Sequence, residues 1–266
     1  MLYFVATPIG NLKDITYRAV EVLESVDEIG CEDTRHSLTL LNHYGIKKPL
    51  FSYHKFNEKE RVDFIIQKLN EGKNIAIISD AGIPVISDPG NVLTKKLREE
   101  NIDFTIIPGA NAGLSALVLS GMDASRFCFV GFLPEKKTER EELLLKFKGV
   151  FASLIFYSAP HDVLKDIESI YSVLGNRKAV AVKEITKLHE KAEAFNLKDG
   201  LRSEPKGEYV LIVEGAIEGE ENKDLSNEEL IDKYIEQGLS KKDAIKKVAK
   251  ERDIPKSDLY KYTIGK

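Results

Sequence analysis

No two of the 18 glycines in this 266-residue chain stand two positions apart, so the sequence contains no G-x-G at all. That absence removes the dinucleotide fingerprint, and with it the glycine-rich loop of ordinary Rossmann-type methyltransferases and dehydrogenases. A G-x-x-x-x-G-K-[ST] phrase is missing too, which excludes a P-loop nucleotide hydrolase. Cysteine is scarce: Cys31 and Cys128 lie far apart, with no C-x-x-C and no histidine cluster, so neither a disulfide framework nor a zinc site is indicated. The apolar start M-L-Y-F-V-A lacks a basic lead and meets Pro8 and Gly10 too soon for a signal peptide. No apolar run approaches the roughly 18 residues a membrane span needs. A cytoplasmic protein without membrane attachment is expected.

What is present fits a globular α/β protein. Hydrophobic residues make up 42% and charged ones 31%, enough for two domains of ordinary size, each with its own core. The formal charge of −4 conceals an asymmetry, because residues 239–266 carry nine Lys and Arg against four Asp and Glu. A basic tail on an acidic body points to an anionic partner for the tail.

Along the chain, strands are predicted at residues 2–6, ending near Cys31, at 75–78 and at 104–107. Helices are predicted around 15–26, 36–44, 62–70 and 91–100. This alternation argues for a mostly parallel sheet. Ile75 to Ile78 show no polar alternation and read as a strand buried on both faces. Just past it, Ser79-Asp80-Ala81-Gly82 and Ser87-Asp88-Pro89-Gly90 repeat one S-D-x-G phrase where open α/β sheets bind ligands. The plainer reading is two β-turns. A second block holds a helix at 114–121, a strand at 127–132, a charged helix over 134–149 with Leu143, Leu144 and Phe147 as its buried stripe, strands at 152–157, 179–183 and 209–214, and a helix at 162–174. A charged linker at 218–224 leads to a helical end, where Ser226 and Glu229 form a capping box and Ser240 opens a second helix stapled by Leu239 and Ala244. A third short helix should contain Leu259, Tyr260 and Tyr262. This end resembles a helix-turn-helix, or else a capping or dimerising tail.

Four stretches together carry a family likeness: Thr7-Pro8-Ile9-Gly10-Asn11-Leu12, Glu32-Asp33-Thr34-Arg35, Ser79 to Gly90, and Pro108-Gly109-Ala110-Asn111-Ala112. In order and spacing the chain resembles the ribosomal RNA small subunit methyltransferase I family, within the tetrapyrrole-methylase-like group, from residue 1 to about 215. The resemblance implies two α/β domains, 1–115 and 116–220, with S-adenosylmethionine in the cleft between them. A basic helical extension, 221–266, and a homodimer are implied as well. It also implies 2′-O-methylation of a cytidine in the decoding centre of small-subunit (16S) rRNA, naked or in the assembled small ribosomal subunit. Cofactor contacts carry over to Pro8, Gly10, Asp80, Gly82, Val85, Ile86, Ser87, Asn111, Ala112, Phe132, Leu133, Tyr157, Ser158 and Ala159.

Glu32, Asp33 and Arg35 are the candidates for the chemistry, since a carboxylate near a ribose hydroxyl can accept its proton. The alternative is a structural ion-pair cluster at a helix start. Lys136 and Arg140, with Lys241, Lys242 and Lys246 in the tail, are candidates for RNA backbone contact, although interleaved glutamates also fit a solvated helix. Tyr53 and His54 read as an exposed loop pair or as a base-stacking pair. Two further functions remain open: a tetrapyrrole or diphthamide methyltransferase of the same fold, or a non-catalytic rRNA-binding assembly factor.

Overall fold

The computed structural model describes residues 1–217 and 225–260, so the expected linker at 218–224 and Tyr262 lie outside the described residues. Two compact units are present, Met1–Lys146 with Ala152–Glu214, and Phe147–Phe151 with Gly215–Lys266.

The first unit contains two five-stranded sheets. Strands β1 (Leu2–Val5), β2 (Glu28–Cys31), β3 (Leu50–Ser52), β4 (Ile75–Ile77) and β5 (Phe104–Ile107) form an all-parallel sheet in the order β3-β2-β4-β1-β5. Helices α1 (Tyr17–Ser25), α2 (Thr34–His43), α3 (Glu58–Asn70) and α4 (Asn91–Glu99) connect them. The sheet is buried on both faces: Leu2, Phe4, Ile75 and Ile77 pack with Leu93 and Leu97 on one side, and Val5, Ile29 and Ala76 with Ala19 and Leu23 on the other. That double burial is why β4 carries no polar alternation. Neighbouring strands therefore bring four carboxyl ends, those of β2, β4, β1 and β5, into one row.

Helix α5 (Ala112–Ser120) follows, ending at Gly121 in the left-handed conformation. Its Ala116 and Leu117 pack against Ile155, Val180 and Ile212, so it belongs by packing with the second sheet. That sheet has the order β6-β7-β10-β8-β9, from β6 (Phe127–Phe132), β7 (Ser153–Ser158), β8 (Lys178–Lys183), β9 (Lys191–Asn196) and β10 (Tyr209–Val213). Only β6 and β7 run parallel; the other pairs are antiparallel. Helices α6 (Lys137–Leu145) and α7 (Val163–Leu174) complete the unit.

Strands β3 and β9 were not expected. Both are edge strands, β3 only three residues long and β9 rich in charge and mostly exposed, so neither shows a core signature. The charged helix is shorter than predicted at both ends, starting at Lys137 and closing at Leu145 with Lys146 as its C-cap. Leu144 is its fully buried apolar residue; Leu143 and Phe147 are only half-buried.

In the second unit α8 (Asn227–Glu236), α9 (Lys241–Arg252) and α10 (Lys256–Tyr260) close around Leu230, Ile231, Tyr234, Ile245, Val248 and Leu259. The Ser226–Glu229 capping box forms as expected, and Ser240 caps α9 by accepting from the Asp243 N–H. Lys241, Lys242 and Lys246 are exposed on α9.

Candidate active site

The loops after β1 and β4 are joined directly. Thr7 N–H donates to the Gly82 carbonyl at 2.8 Å, Gly82 N–H donates to the Thr7 carbonyl at 3.1 Å, and Thr7 Oγ1 donates to the Ser79 carbonyl at 3.2 Å. On the other side of β4, Asp33 N–H donates to Asp80 Oδ1 at 3.3 Å, fixing the end of β2 against the same loop. Asn111 caps α5 by accepting from Leu114 N–H at 2.8 Å, which settles the loop after β5. The loop over residues 79–90 is held in an unusual backbone state, with φ of 77° at Val85 and 68° at Ser87 as well as positive values at Gly82 and Gly90. Positive φ is rare for a β-branched residue and clusters at ligand sites. Glu58 anchors the far end of this loop: its Oε1 accepts from Gly90 N–H at 2.7 Å, from Val92 N–H at 3.1 Å and from Tyr53 Oη at 3.1 Å.

Above these strand ends lies a cavity of about 450 Å³. The first sheet contributes Glu32, Asp80, Gly82, Ile86, Ser87 and Asp88, together with Asn111 and Ala112. From the second sheet come Phe132, Tyr157, Ser158 and Ala159, with Val182, Tyr209 and Val210 beside them. The register explains this set, because Val210 pairs with both Tyr157 and Val182, so one end of the mixed sheet faces the cavity. A bulge between Phe129 and Gly131 turns the end of β6, and both Phe129 and Phe132 meet the Tyr157 ring edge-on. Tyr157 Oη accepts from Gly113 N–H at 3.2 Å, tying this wall to the start of α5.

Electrostatically the cavity is acidic. Burial raises the Glu32 carboxyl, and the nearby Asp80 raises it further. Burial also raises Asp88 to about 6, against a Ser79 hydrogen bond that lowers it and with Glu32 and Asp80 adding repulsion. The sequence places Asp88 in the second S-D-x-G phrase of this loop, but the family resemblance carried no cofactor contact over to it. Val182 and Tyr209 were missed because they sit in the middle or at the start of ordinary-looking strands.

Several expected residues stand elsewhere. Pro8 lines a smaller neighbouring cavity, and Gly10 packs against Lys187 and Thr186, where an added Cβ would lie 2.6 Å from Lys187 Cγ. Val85 packs toward the core of the first sheet, and Leu133 is outside the cavity lining. Asp33 is the cap of α2: its carboxylate accepts from Arg35 N–H, Nε and Nη2, which holds it at about 2, and the Arg35 side chain is 90% exposed. Arg140 is a correction. It is 2% exposed, donates to the Pro134 carbonyl and to Ser169 Oγ, and lies 3.7 Å from buried Asp166, so it is a structural cation and no surface for RNA. Asp166 in turn accepts from Ser158 Oγ, so the buried pair also fixes a cavity wall. Lys136 is exposed and paired with Glu139 at 2.9 Å. Tyr53 is buried, which removes it as a stacking platform.

Residues 1–199 match the family model described as Tetrapyrrole (Corrin/Porphyrin) Methylases. Among solved structures, diphthine synthase aligns with a TM-score of 0.64 at 16% identity, covering 80% of this chain and 89% of that one. Uroporphyrin-III-C-methyltransferase from Thermus thermophilus gives 0.57 at 17%, covering 80% and 93%. Both likenesses establish the fold. Among sequences, a protein of Halalkalibacterium halodurans named ribosomal RNA small subunit methyltransferase I is 42% identical over 97% of this chain and 93% of its own length. Its namesake in Escherichia coli O157:H7 is 42% identical over 99% and 94%. With its strand ends gathered around one acidic cavity and these relatives matched almost end to end, the chain belongs to the ribosomal RNA small subunit methyltransferase I family of tetrapyrrole-type methylases.

Proposed function

We propose that this chain methylates the ribose 2′-oxygen of a cytidine in the decoding centre of small-subunit rRNA, with S-adenosylmethionine as donor. The relatives' names supply the RNA class. The observation that carries the reading is the acidic cavity itself. Three carboxylates, Glu32, Asp80 and Asp88, line one side, and the rings of Phe132 and Tyr157 the other. Such a lining suits a cationic, phosphate-free ligand with a flat ring system, and it repels phosphate-bearing cofactors.

S-adenosylmethionine, when bound, supplies a methyl group made electrophilic by its sulfonium. Asp80 and Asp88 are the carboxylates that would hold so positive a ligand, and Gly82 and Ala112 in the same lining would let the main chain come close to it. Glu32 takes the proton that the ribose hydroxyl gives up, an effect typically worth about 10² to 10⁴ in rate. Positioning of the acceptor supplies most of the remainder. Arg35, projecting from the start of α2, meets a phosphate of the substrate while Asp33 steadies it. Lys136 and the α9 lysines 241, 242 and 246 hold RNA backbone further out. A homodimer accounts for the exposed apolar residues Leu114, Val118 and Leu119 on α5 and Phe127 and Phe129 on the edge strand β6.

Calorimetric titration with S-adenosylmethionine, followed by methyl transfer to deproteinised rRNA, small subunits and free cytidine, tests this reading. Micromolar binding and transfer to one RNA form are expected. Asp80→Ala should lose cofactor affinity, whereas Glu32→Gln and Arg35→Ala should keep it and lose turnover. No binding at millimolar donor would leave the chain a non-catalytic RNA-binding factor.

A further inference from the structure

Phe56 is 94% exposed, although burial favours a phenyl ring more than most side chains. The cause is local. Phe56 stands at the tip of a turn closed from both ends: Asn57 N–H donates to the His54 carbonyl at 3.0 Å, and His54 N–H donates to Asn57 Oδ1 at 2.8 Å. Asn57 Nδ2 also donates to the Ser52 carbonyl at 3.1 Å, which ties the tip to β3. On one side Tyr53 is buried and donates its N–H to the Cys31 carbonyl at 2.8 Å; on the other Glu58 accepts from Gly90 and Val92. A pinned turn thus keeps the ring in water, where an apolar residue on a slack loop is free to collapse onto its surroundings.

This turn adjoins the acidic cavity. The Tyr53 hydrogen bond sets it against the end of β2, one residue before Glu32, which lines the cavity. His54 links the two: its ring meets Phe56 edge-on with centroids 6.1 Å apart, and it lowers the Glu32 carboxyl that burial raises. The charge around the ring is basic. Main-chain N–H groups take up the Glu58 carboxylate, and Lys55 and Lys59 are exposed without an ion pair among the described residues, against an exposed Glu60. Arg35, 90% exposed, projects from the end of the neighbouring strand.

An exposed ring flanked by cations is how proteins hold single-stranded nucleic acid: a base stacks on the ring and the cations follow the backbone. A protein-docking surface would be built on contiguous apolar area, but the neighbours of the ring along the turn are His54, Lys55 and Asn57. We propose that Phe56 is a stacking platform for an unpaired base of the RNA next to the acceptor nucleotide, with Lys55 at the adjoining phosphate. Phe56 lies one ring away from Glu32 and outside the cavity lining, so the base it holds belongs to a neighbour of the nucleotide whose ribose enters the cavity. The inference rests on the proposed methylation of RNA and deepens it.

The test uses the full chain with saturating S-adenosylmethionine and small ribosomal subunits. Steady-state kinetics are measured for the parent, Phe56→Ala, Phe56→Leu and Phe56→Trp. Phe56→Ala and Phe56→Leu should each raise KM for RNA about tenfold, the scale of one lost base–aromatic stack, with kcat and donor affinity within about twofold of the parent. Phe56→Trp should keep the parent's KM, because it keeps a stacking face that leucine lacks. All three should melt normally, the site being exposed. The chain contains no tryptophan, so Phe56→Trp also places a single indole at the tip, and the parent gives the background emission of the subunits. The indole emission should be quenched in step with subunit binding. Parent-like KM in Phe56→Ala, a loss in Phe56→Trp equal to that in Phe56→Ala, or unchanged emission on binding would overturn the proposal while leaving the methylase reading intact. A sedimentation profile of the parent that shifts in Phe56→Ala would assign the ring to a second copy of the chain and overturn it too. Failure of the parent to methylate any RNA would remove that reading and the platform together.

Discussion

Val85 and Gly90 are fitted to each other: Val85 Cγ2 lies 2.5 Å from where a β-carbon on Gly90 would stand. Gly90 itself has φ of 139°, a conformation that L side chains rarely adopt, and its N–H is held by Glu58 at 2.7 Å. The strained Val85 backbone is thus kept in place from below by a residue with no side chain. Gly90→Ala combines backbone strain with a clash and should destabilise the protein by about 2–4 kcal/mol. Because the displaced residue sits in the loop that carries Ile86, Ser87 and Asp88, S-adenosylmethionine affinity should fall as well. Thermal melts and calorimetry check both; a variant that melts normally and binds as the parent does would show that the loop tolerates movement of Val85.

Asp88 makes pH a reporter on the cavity. Its folded pKa of about 6 lies above the ordinary 3.8, so the native state binds this proton more tightly than the unfolded chain. The associated stability is fully present below pH about 4, declines as pH rises through the window from about 4 to 6, and is absent above it. Two units correspond to about 3 kcal/mol, reduced to about 1–2 by the site's partial exposure. Asp88→Asn should therefore be more stable than the parent at pH 8 and equal to it near pH 4. Affinity for the cationic donor should move the opposite way, improving in the parent as pH passes 6 and staying flat in Asp88→Asn. A donor affinity in the parent that ignores pH between 5 and 7.5 would detach Asp88 from the ligand.

These features differ in how far they can be read from residue order. The buried strand at Ile75, the Ser226–Glu229 capping box and the chain of strand-end loops are local patterns, and each appears where periodicity and turn chemistry place it. The edge strands β3 and β9 escape because an edge lacks a buried face to mark it. Tyr209 escapes for another reason, and Asp88 is placed only as part of a loop phrase: their positions in the cavity arise from pairing between segments distant in sequence, β4's loop with β6 and β10 with β7. Arg140 shows the reverse error, since the flanking Glu139 and Glu141 suggest a solvated face while α7 covers it with Asp166 and Ser169.

Removing Arg140 should be costly for stability rather than for RNA contact. The guanidinium and the Asp166 carboxylate are both nearly inaccessible, and the latter is already raised by burial despite its neighbours. Arg140→Ala strands a buried carboxylate beside a void, and should cost about 3–5 kcal/mol at neutral pH. At pH 4 the loss should shrink, because Asp166 then takes up a proton. Salt dependence of RNA binding by the surviving folded fraction should match the parent, and a changed slope would return Arg140 to the RNA surface.

The α9 lysines give the contrasting case. Lys241, Lys242 and Lys246 are exposed, while the opposite side of the helix buries Ala244, Ile245 and Val248. Their replacement by glutamine keeps helix propensity and leaves the apolar cluster untouched, so melting should change little. If each lysine neutralises one phosphate, the triple variant should lower the magnitude of the slope of log K against log salt by about 2 to 3, with weaker binding at low salt. Methyl transfer should suffer in KM rather than kcat, because the cavity is unaltered. Binding curves for parent and variant that superimpose from 50 mM to 300 mM salt would mean that this basic face meets no nucleic acid, and the helical unit would then be a stabilising or self-associating element.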